Sequence, residues 1–116
     1  MQLRKTYLAI KTELLFDELR DLVLKQGAIL RESKMETYAL PDDSSAFITR
    51  GTLAFGMPAS PERICCSLHL IGSARTETKL LADFDDSLFS PEKQAALQDE
   101  LDFMLGTYEV KPCGGS

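Results

Sequence analysis

The chain has 116 residues, of which 44% are apolar and 27% are charged, and its formal net charge is −5. A chain of this length and composition forms one domain with a single hydrophobic core, which excludes wholesale disorder. It contains no apolar run near the roughly 20 residues of a membrane-spanning helix, and no uninterrupted apolar stretch typical of a secretory signal. We therefore expect a cytoplasmic protein without a membrane partner, with one domain over residues 1–110 and a flexible tail over residues 111–116.

The N-terminal segment predicts a strand followed by a helix. Residues 3–10 alternate weakly between apolar and polar side chains, which favours a strand. Over residues 12–26, apolar side chains recur at the spacing of one helical face, and charged side chains occupy the other face. Thr12 has a side chain suited to an N-cap, and Gly27 can adopt the left-handed conformation that ends many helices. The pattern therefore predicts an amphipathic helix over about 12–26.

Alternation of apolar and polar side chains predicts several strands in the middle of the chain. These strands cover residues 28–31, 35–40, 46–55, 63–71 and 75–84. Glu32-Ser33-Lys34 favours a hairpin turn, Gly72-Ser73 favours a tight reversal, and Gly51 indicates a bulge or a close backbone contact. Because connections this short leave no room for a crossover, we expect consecutive strands to be antiparallel.

The segment Ser90-Pro91-Glu92 predicts the start of a second helix, with Ser as the N-cap, Pro in the first turn and an acid where the helix dipole favours it. The apolar face of this helix is predicted to contain Leu97, Leu101, Met104 and Leu105, with Gly106 at its end. Together, the elements predict an α+β single domain. We expect a curved antiparallel sheet of about five to seven strands, with two amphipathic helices over about 12–26 and 91–105 packed on one face.

Acidic residues are concentrated in one part of the chain. Residues 83–102 contain seven acids and one base, a net charge of −6, whereas the remainder of the chain carries +1. A negatively charged surface repels a phosphate backbone. We therefore expect no nucleic-acid partner.

Cys65, Cys66 and His69 have the side chains best suited to metal binding or nucleophilic catalysis. On a strand, however, Cys65 and His69 would lie about 13 Å apart, too far to share one zinc ion or a hydrogen bond. Cys66 would point to the opposite face as a core thiol, and Cys65 would be half-exposed. The pattern thus predicts no metal, no cofactor and no catalytic residue. An enzyme with a hidden site around His69 is the last of three functional alternatives.

Phe103 is the residue that best indicates a binding surface. It lies nearly opposite the apolar face of the second predicted helix, among Asp99, Glu100 and Asp102. An apolar centre with an acidic rim is typical of a surface for a protein partner or for self-association. The leading hypothesis is therefore a non-enzymatic protein-interaction module, adaptor-like or chaperone-like and expected to be a homodimer, that uses these residues. In size and acidity the chain resembles small acidic secretion chaperones.

A carrier or sensor of a small apolar ligand is the second alternative. The predicted element order resembles that of helix-grip domains, in which a curved antiparallel sheet shelters an apolar ligand against a helix. This resemblance lies in the order of elements and not in matched residues. Such a site would lie between the sheet and the helices, with a volume on the order of a few hundred Å³. Its lining would include Tyr38, Phe47, Phe55, Leu68 and Phe84.

Overall fold

The computed structural model describes residues 2–40, 43–73 and 77–110 of the chain. Its strands are β1 (Gln2–Leu8), β2 (Ile29–Leu40), β3 (Asp43–Gly56), β4 (Cys66–Ser73) and β5 (Glu77–Phe84), and its helices are α1 (Thr12–Lys25) and α2 (Pro91–Leu105), the latter followed by a 3₁₀ turn over Gly106–Tyr108. The predicted tail over residues 111–116 lies outside the described residues. Neither α1 nor α2 is long and apolar enough to cross a membrane.

The five strands form one antiparallel sheet with the order β1-β5-β4-β3-β2. Strands β2 to β5 follow one another as a meander, as the short connections between the predicted strands indicate. β1 pairs with β5 and therefore lies at the edge opposite to β2. The chain between β1 and β2 has to cross the sheet, and α1 makes this crossing.

Both helices pack on the same face of the sheet and bury their apolar sides in one core. Helix residues of this core include Leu15, Phe16, Leu19, Val23, Leu97 and Leu101, and strand residues include Leu53, Phe55, Leu68, Leu70, Leu80 and Ala82. Each fully buried Leu or Phe side chain contributes roughly 1.5–3 kcal/mol relative to an exposed one. The α+β prediction of two helices packed against an antiparallel sheet is thus confirmed. The opposite face, called the outer face below, carries neither α1 nor α2.

Two glycines allow α1 to approach the sheet closely. A β-carbon at Gly51 of β3 would lie 2.6 Å from Cδ2 of Phe16, and one at Gly72 of β4 would overlap the hydroxyl group of Thr12. The close contact predicted at Gly51 is therefore confirmed. The reversal predicted at Gly72 is wrong, because Gly72 continues β4 and pairs with Thr78 of β5. Glycine is required at this position by the limited space under α1 and not by a turn.

The hairpin turn predicted at Glu32-Ser33-Lys34 is wrong. β2 is a single strand of 12 residues, in which Glu32–Lys34 pair with residues 52–54 of β3. The register shifts between Leu30 and Glu32, so the strand contains a bulge there. β2 lies at the edge of the sheet, where charged side chains are common because they discourage pairing with other chains. Its polar composition therefore reflects an edge position and not a turn.

The capping residue predicted from the local sequence is right for α2 and wrong for α1. Ser90 caps α2 as predicted, since its Oγ accepts a hydrogen bond of 3.3 Å from the backbone N–H of Lys93. The N-cap predicted at Thr12 is wrong, because Lys11 occupies the cap position of α1 without a side-chain capping bond. The Thr12 hydroxyl instead forms a hydrogen bond of 2.8 Å with the hydroxyl of Thr78. A long-range contact thus replaces a local cap.

Candidate interaction surfaces

Phe103 projects from α2 into solvent. It is 91% exposed, the largest exposed fraction among the large apolar side chains of the described residues. α2 buries Gln94, Leu97, Leu101 and Leu105. At about 100° per residue, Phe103 lies opposite this buried side, with exposed Asp99 about one turn before it. Phe103 and Asp99 are called the α2 crest below. Met104, predicted on the apolar face, is instead 46% exposed beside the crest.

Glu100 and Asp102 lie on the two flanks of α2 and have partners within the chain. The Glu100 carboxylate is 3.0 Å from Nζ of Lys25 on α1. The Asp102 carboxylate is 3.1 Å from Nζ of Lys5 on β1, which is also 2.9 Å from the carboxylate of Glu109. Two of the four residues predicted to bind a partner therefore hold α2 against its neighbours. Asp99 and Phe103 are the two that remain available at the crest.

The ammonium group of Lys5 is the more buried of the two cations that hold α2. Its side chain and that of Glu109 are each 10% exposed, whereas the side chain of Lys25 is 67% exposed. Burial alone would lower the pKa of Lys5, but its hydrogen bonds with Glu109 and Asp102 outweigh burial and raise the pKa. Lys5 therefore stays protonated and connects β1 to both the end of α2 and the segment after it.

Tyr7 lies two residues after Lys5 on β1 and is buried in the core. Its hydroxyl group has no hydrogen-bond partner among the described residues. Burial, reinforced by the nearby charges of Glu109 and Asp102, raises the pKa of this phenol well above its ordinary range. The hydroxyl group is therefore protonated and unsatisfied, a condition that costs about 1–3 kcal/mol.

The five residues proposed to line an apolar ligand site do not surround one space. Phe55, Leu68 and Phe84 are buried in the core. Phe47 and Tyr38 are 46% and 45% exposed. The pairing of β2 with β3 places Phe47 on the helix-bearing face and Tyr38 on the outer face. Three of the predicted lining residues therefore fill the space between the sheet and the helices with their own side chains, and the other two lie on opposite faces of the sheet.

The two adjacent thiols are both buried, with exposed fractions of 1%. Strand alternation predicts a half-exposed Cys65, and this prediction is wrong. Cys65 lies just before β4, where its backbone N–H donates a hydrogen bond to the carbonyl oxygen of Phe55 and its carbonyl oxygen accepts one from the N–H of Asp85. Burial raises the pKa of Cys65, and it raises the pKa of Cys66 to about 12. Both thiols are therefore protonated near neutral pH and weak as nucleophiles. His69 lies exposed on the outer face, and the described residues contain no group of three metal-ligating side chains.

A groove of about 510 Å³ crosses the outer face where β1, β5 and β4 lie side by side. Its lining includes Arg4, His69, Ile71, Lys79, Leu81 and Val110. The sequence patterns of the individual strands do not predict this groove. Each contributing strand shows an alternating pattern, but the pattern does not indicate that β1 pairs with β5. The residues of the groove become neighbours only through that pairing.

Comparison of the chain with models of known protein families, with curated proteins and with solved structures finds no match. The α2 crest and the outer-face groove are the candidate functional sites of the chain.

Proposed function

We propose that this protein is a non-enzymatic interaction module of the adaptor or chaperone type, and that the α2 crest binds a basic segment of a protein partner. The observation that carries the proposal is the 91% exposure of Phe103 on a helix whose opposite side packs against the core. An exposed aromatic ring gains about 1.5–3 kcal/mol when a partner buries it. Aromatic side chains are also among the residues that contribute most to binding at protein interfaces.

The charge around Phe103 selects the kind of partner. Asp99 lies about one turn away, and exposed Glu92 lies on the same side of α2. The stretch 83–102 carries a net charge of −6. Electrostatic complementarity therefore favours a basic partner with an apolar site for the Phe103 ring.

Self-association through the crest is disfavoured by the same charges. In a two-fold dimer, the same surface of both copies forms the interface, so the acidic crest of one copy would face the acidic crest of the other. Like charges at an interface cost free energy. The proposal therefore assigns the crest to a different, basic protein and not to a second copy of the chain.

Site-specific photo-crosslinking tests this proposal. Replacing Phe103 with p-benzoylphenylalanine keeps an aromatic group at the crest, and the same replacement at Leu14 provides the control, because Leu14 is 52% exposed on α1. In cells that express the protein, we expect position 103, and not position 14, to crosslink to a discrete basic protein. The additional substitution Asp99→Lys should abolish this product.

The alternative outcomes are clearly separated. Crosslinks from position 103 to a second copy of the chain would show that the crest mediates self-association. A yield at position 103 no higher than at position 14 would show that the crest binds no protein.

A further inference from the structure

Arg4 on β1 and Lys79 on β5 lie on the outer face, and neither has an ion-pair partner among the described residues. The register of β1 with β5 pairs Arg4 with Leu81 and Thr6 with Lys79. Arg4 and Lys79 are therefore diagonal neighbours on one face, a relationship that places β-carbons roughly 7–8 Å apart or somewhat closer. Both side chains are exposed, so their charged ends can reach a common ligand.

Two apolar side chains lie next to these cations. The register of β5 with β4 pairs Leu81 with His69 and Lys79 with Ile71, so Leu81 and Ile71 are also diagonal neighbours. Ile71 is 47% exposed and Leu81 is half-buried. The cationic pair and the apolar pair thus meet on β5, within the groove of about 510 Å³.

The groove is bounded on the β1 side by the segment that follows α2. The backbone N–H of Val110 donates a hydrogen bond of 2.7 Å to the carbonyl oxygen of Thr6. Val110 is 42% exposed and lines the groove. The groove therefore has an apolar wall beside the edge strand, in addition to its apolar floor.

We propose that this groove binds a small amphipathic organic anion, a monocarboxylate with an aliphatic body. The carboxylate lies between Arg4 and Lys79, and the body packs against Ile71, Leu81 and Val110. The volume of the groove falls within the range of about 300–1,000 Å³ that is usual for small-molecule sites. Glu109 also lines the groove, but its carboxylate pairs with Lys5. A bound carboxylate would therefore supply Arg4 and Lys79 with an ion-pair partner.

The net charge of the protein makes this local arrangement selective. With a net charge of −5, the chain as a whole repels anions. An anion is attracted only where cations are concentrated, as Arg4 and Lys79 are on the outer face. A neutral molecule of the same shape gains the apolar contacts but not this pairing. The charge of the ligand should therefore decide its affinity.

Titration with decanoate, decanol and decyltrimethylammonium tests the proposal, since the three share a ten-carbon chain and differ in charge. Binding is followed by amide ¹⁵N–¹H chemical shifts below the micelle concentration of each compound. We expect decanoate to bind at least tenfold more tightly than the other two and to shift amides of β1, β4 and β5 around Arg4, Ile71 and Lys79.

Two variants locate the site. Arg4→Gln and Lys79→Gln should each weaken decanoate binding about tenfold. Lys34→Gln should leave binding unchanged, because Lys34 lies on β2 at the other edge of the sheet. All three side chains are exposed, and the amide spectra show directly whether each variant is folded.

Three results would overturn the proposal: equal affinity for decanoate and decanol, unchanged affinity in both groove variants, or shifts confined to the helices. The proposal does not depend on the α2 crest, because Phe103 lies in the helical layer and the groove lies on the outer face. A negative result for one of the two proposals therefore does not contradict the other.

Discussion

The hydroxyl groups of Thr12 and Thr78 form a hydrogen bond of 2.8 Å across the core, between the first residue of α1 and β5. Both residues are buried. Gly72 pairs with Thr78 on the neighbouring strand and leaves the space that the Thr12 side chain occupies. These contacts set the position at which α1 begins its crossing of the sheet.

Substitution of Gly72 should therefore be strongly destabilising. In Gly72→Ala, the new methyl group overlaps the Thr12 side chain, so we expect a loss of about 2–4 kcal/mol in the free energy of unfolding. Gly106→Ala is the matched control, since a β-carbon there meets nothing within 4 Å and the backbone is helical. The control should gain about 0.5–1 kcal/mol. Urea denaturation measures both, and equal effects would contradict the contact between α1 and β4.

Removal of the Lys5 ammonium should cost more than removal of the Lys25 ammonium. Lys5→Met leaves Glu109, whose side chain is 10% exposed, without this ion pair, and we expect a loss of about 1–3 kcal/mol. Lys25→Met removes an exposed ion pair with Glu100 and should cost less than about 1 kcal/mol. Thermal and urea unfolding provide the comparison. A larger effect at Lys25 would refute the structural role assigned to Lys5.

Tyr7→Phe should stabilise the protein. The substitution removes a buried hydroxyl group that has no hydrogen-bond partner among the described residues and keeps the ring that fills the core. We expect a gain of about 1 kcal/mol in the free energy of unfolding, because the cost of the unsatisfied group disappears. A loss of more than 1 kcal/mol would mean that the hydroxyl group has a stabilising partner.

Alkaline pH should destabilise the fold through Cys66. Burial raises its pKa from 9.0 to about 12, so between these values the unfolded chain loses the thiol proton while the folded chain retains it. Deprotonation then stabilises the unfolded state. Stability therefore falls as pH rises above about 9, by up to about 1.4 kcal/mol per pH unit for this group. Well below pH 9 the thiol is protonated in both states and has no effect on the pH dependence.

Urea denaturation of the wild type and of Cys66→Ala between pH 8 and pH 10.5 measures this contribution. The variant is expected to start from lower stability but to lose stability less steeply with rising pH. The raised pKa values of Lys5, Tyr7 and Cys65 also make stability fall with rising pH, but they are present in both proteins. The difference between the two slopes therefore reports Cys66. Parallel slopes would show that Cys66 has the same pKa in both states.

The local patterns of the chain were sufficient to place its helices. The predicted spans 12–26 and 91–105 agree closely with α1 and α2, because spacing along one face and the capping signal at Ser90 act within a few residues. Short connections also implied an antiparallel meander. The same helical phase placed Phe103 on the exposed side of α2, so the crest could be recognised before its surroundings were known.

Tertiary structure decided the features that depend on distant residues. Glu32–Lys34, predicted as a turn, form part of strand β2 because they pair with β3. Cys65, predicted to point outward, is buried by tertiary packing. The outer-face groove depends on the pairing of β1 with β5, which brings Arg4 beside Lys79. Local preferences are set by neighbours along the chain, whereas strand order is set by how both helices and all five strands bury their apolar sides together.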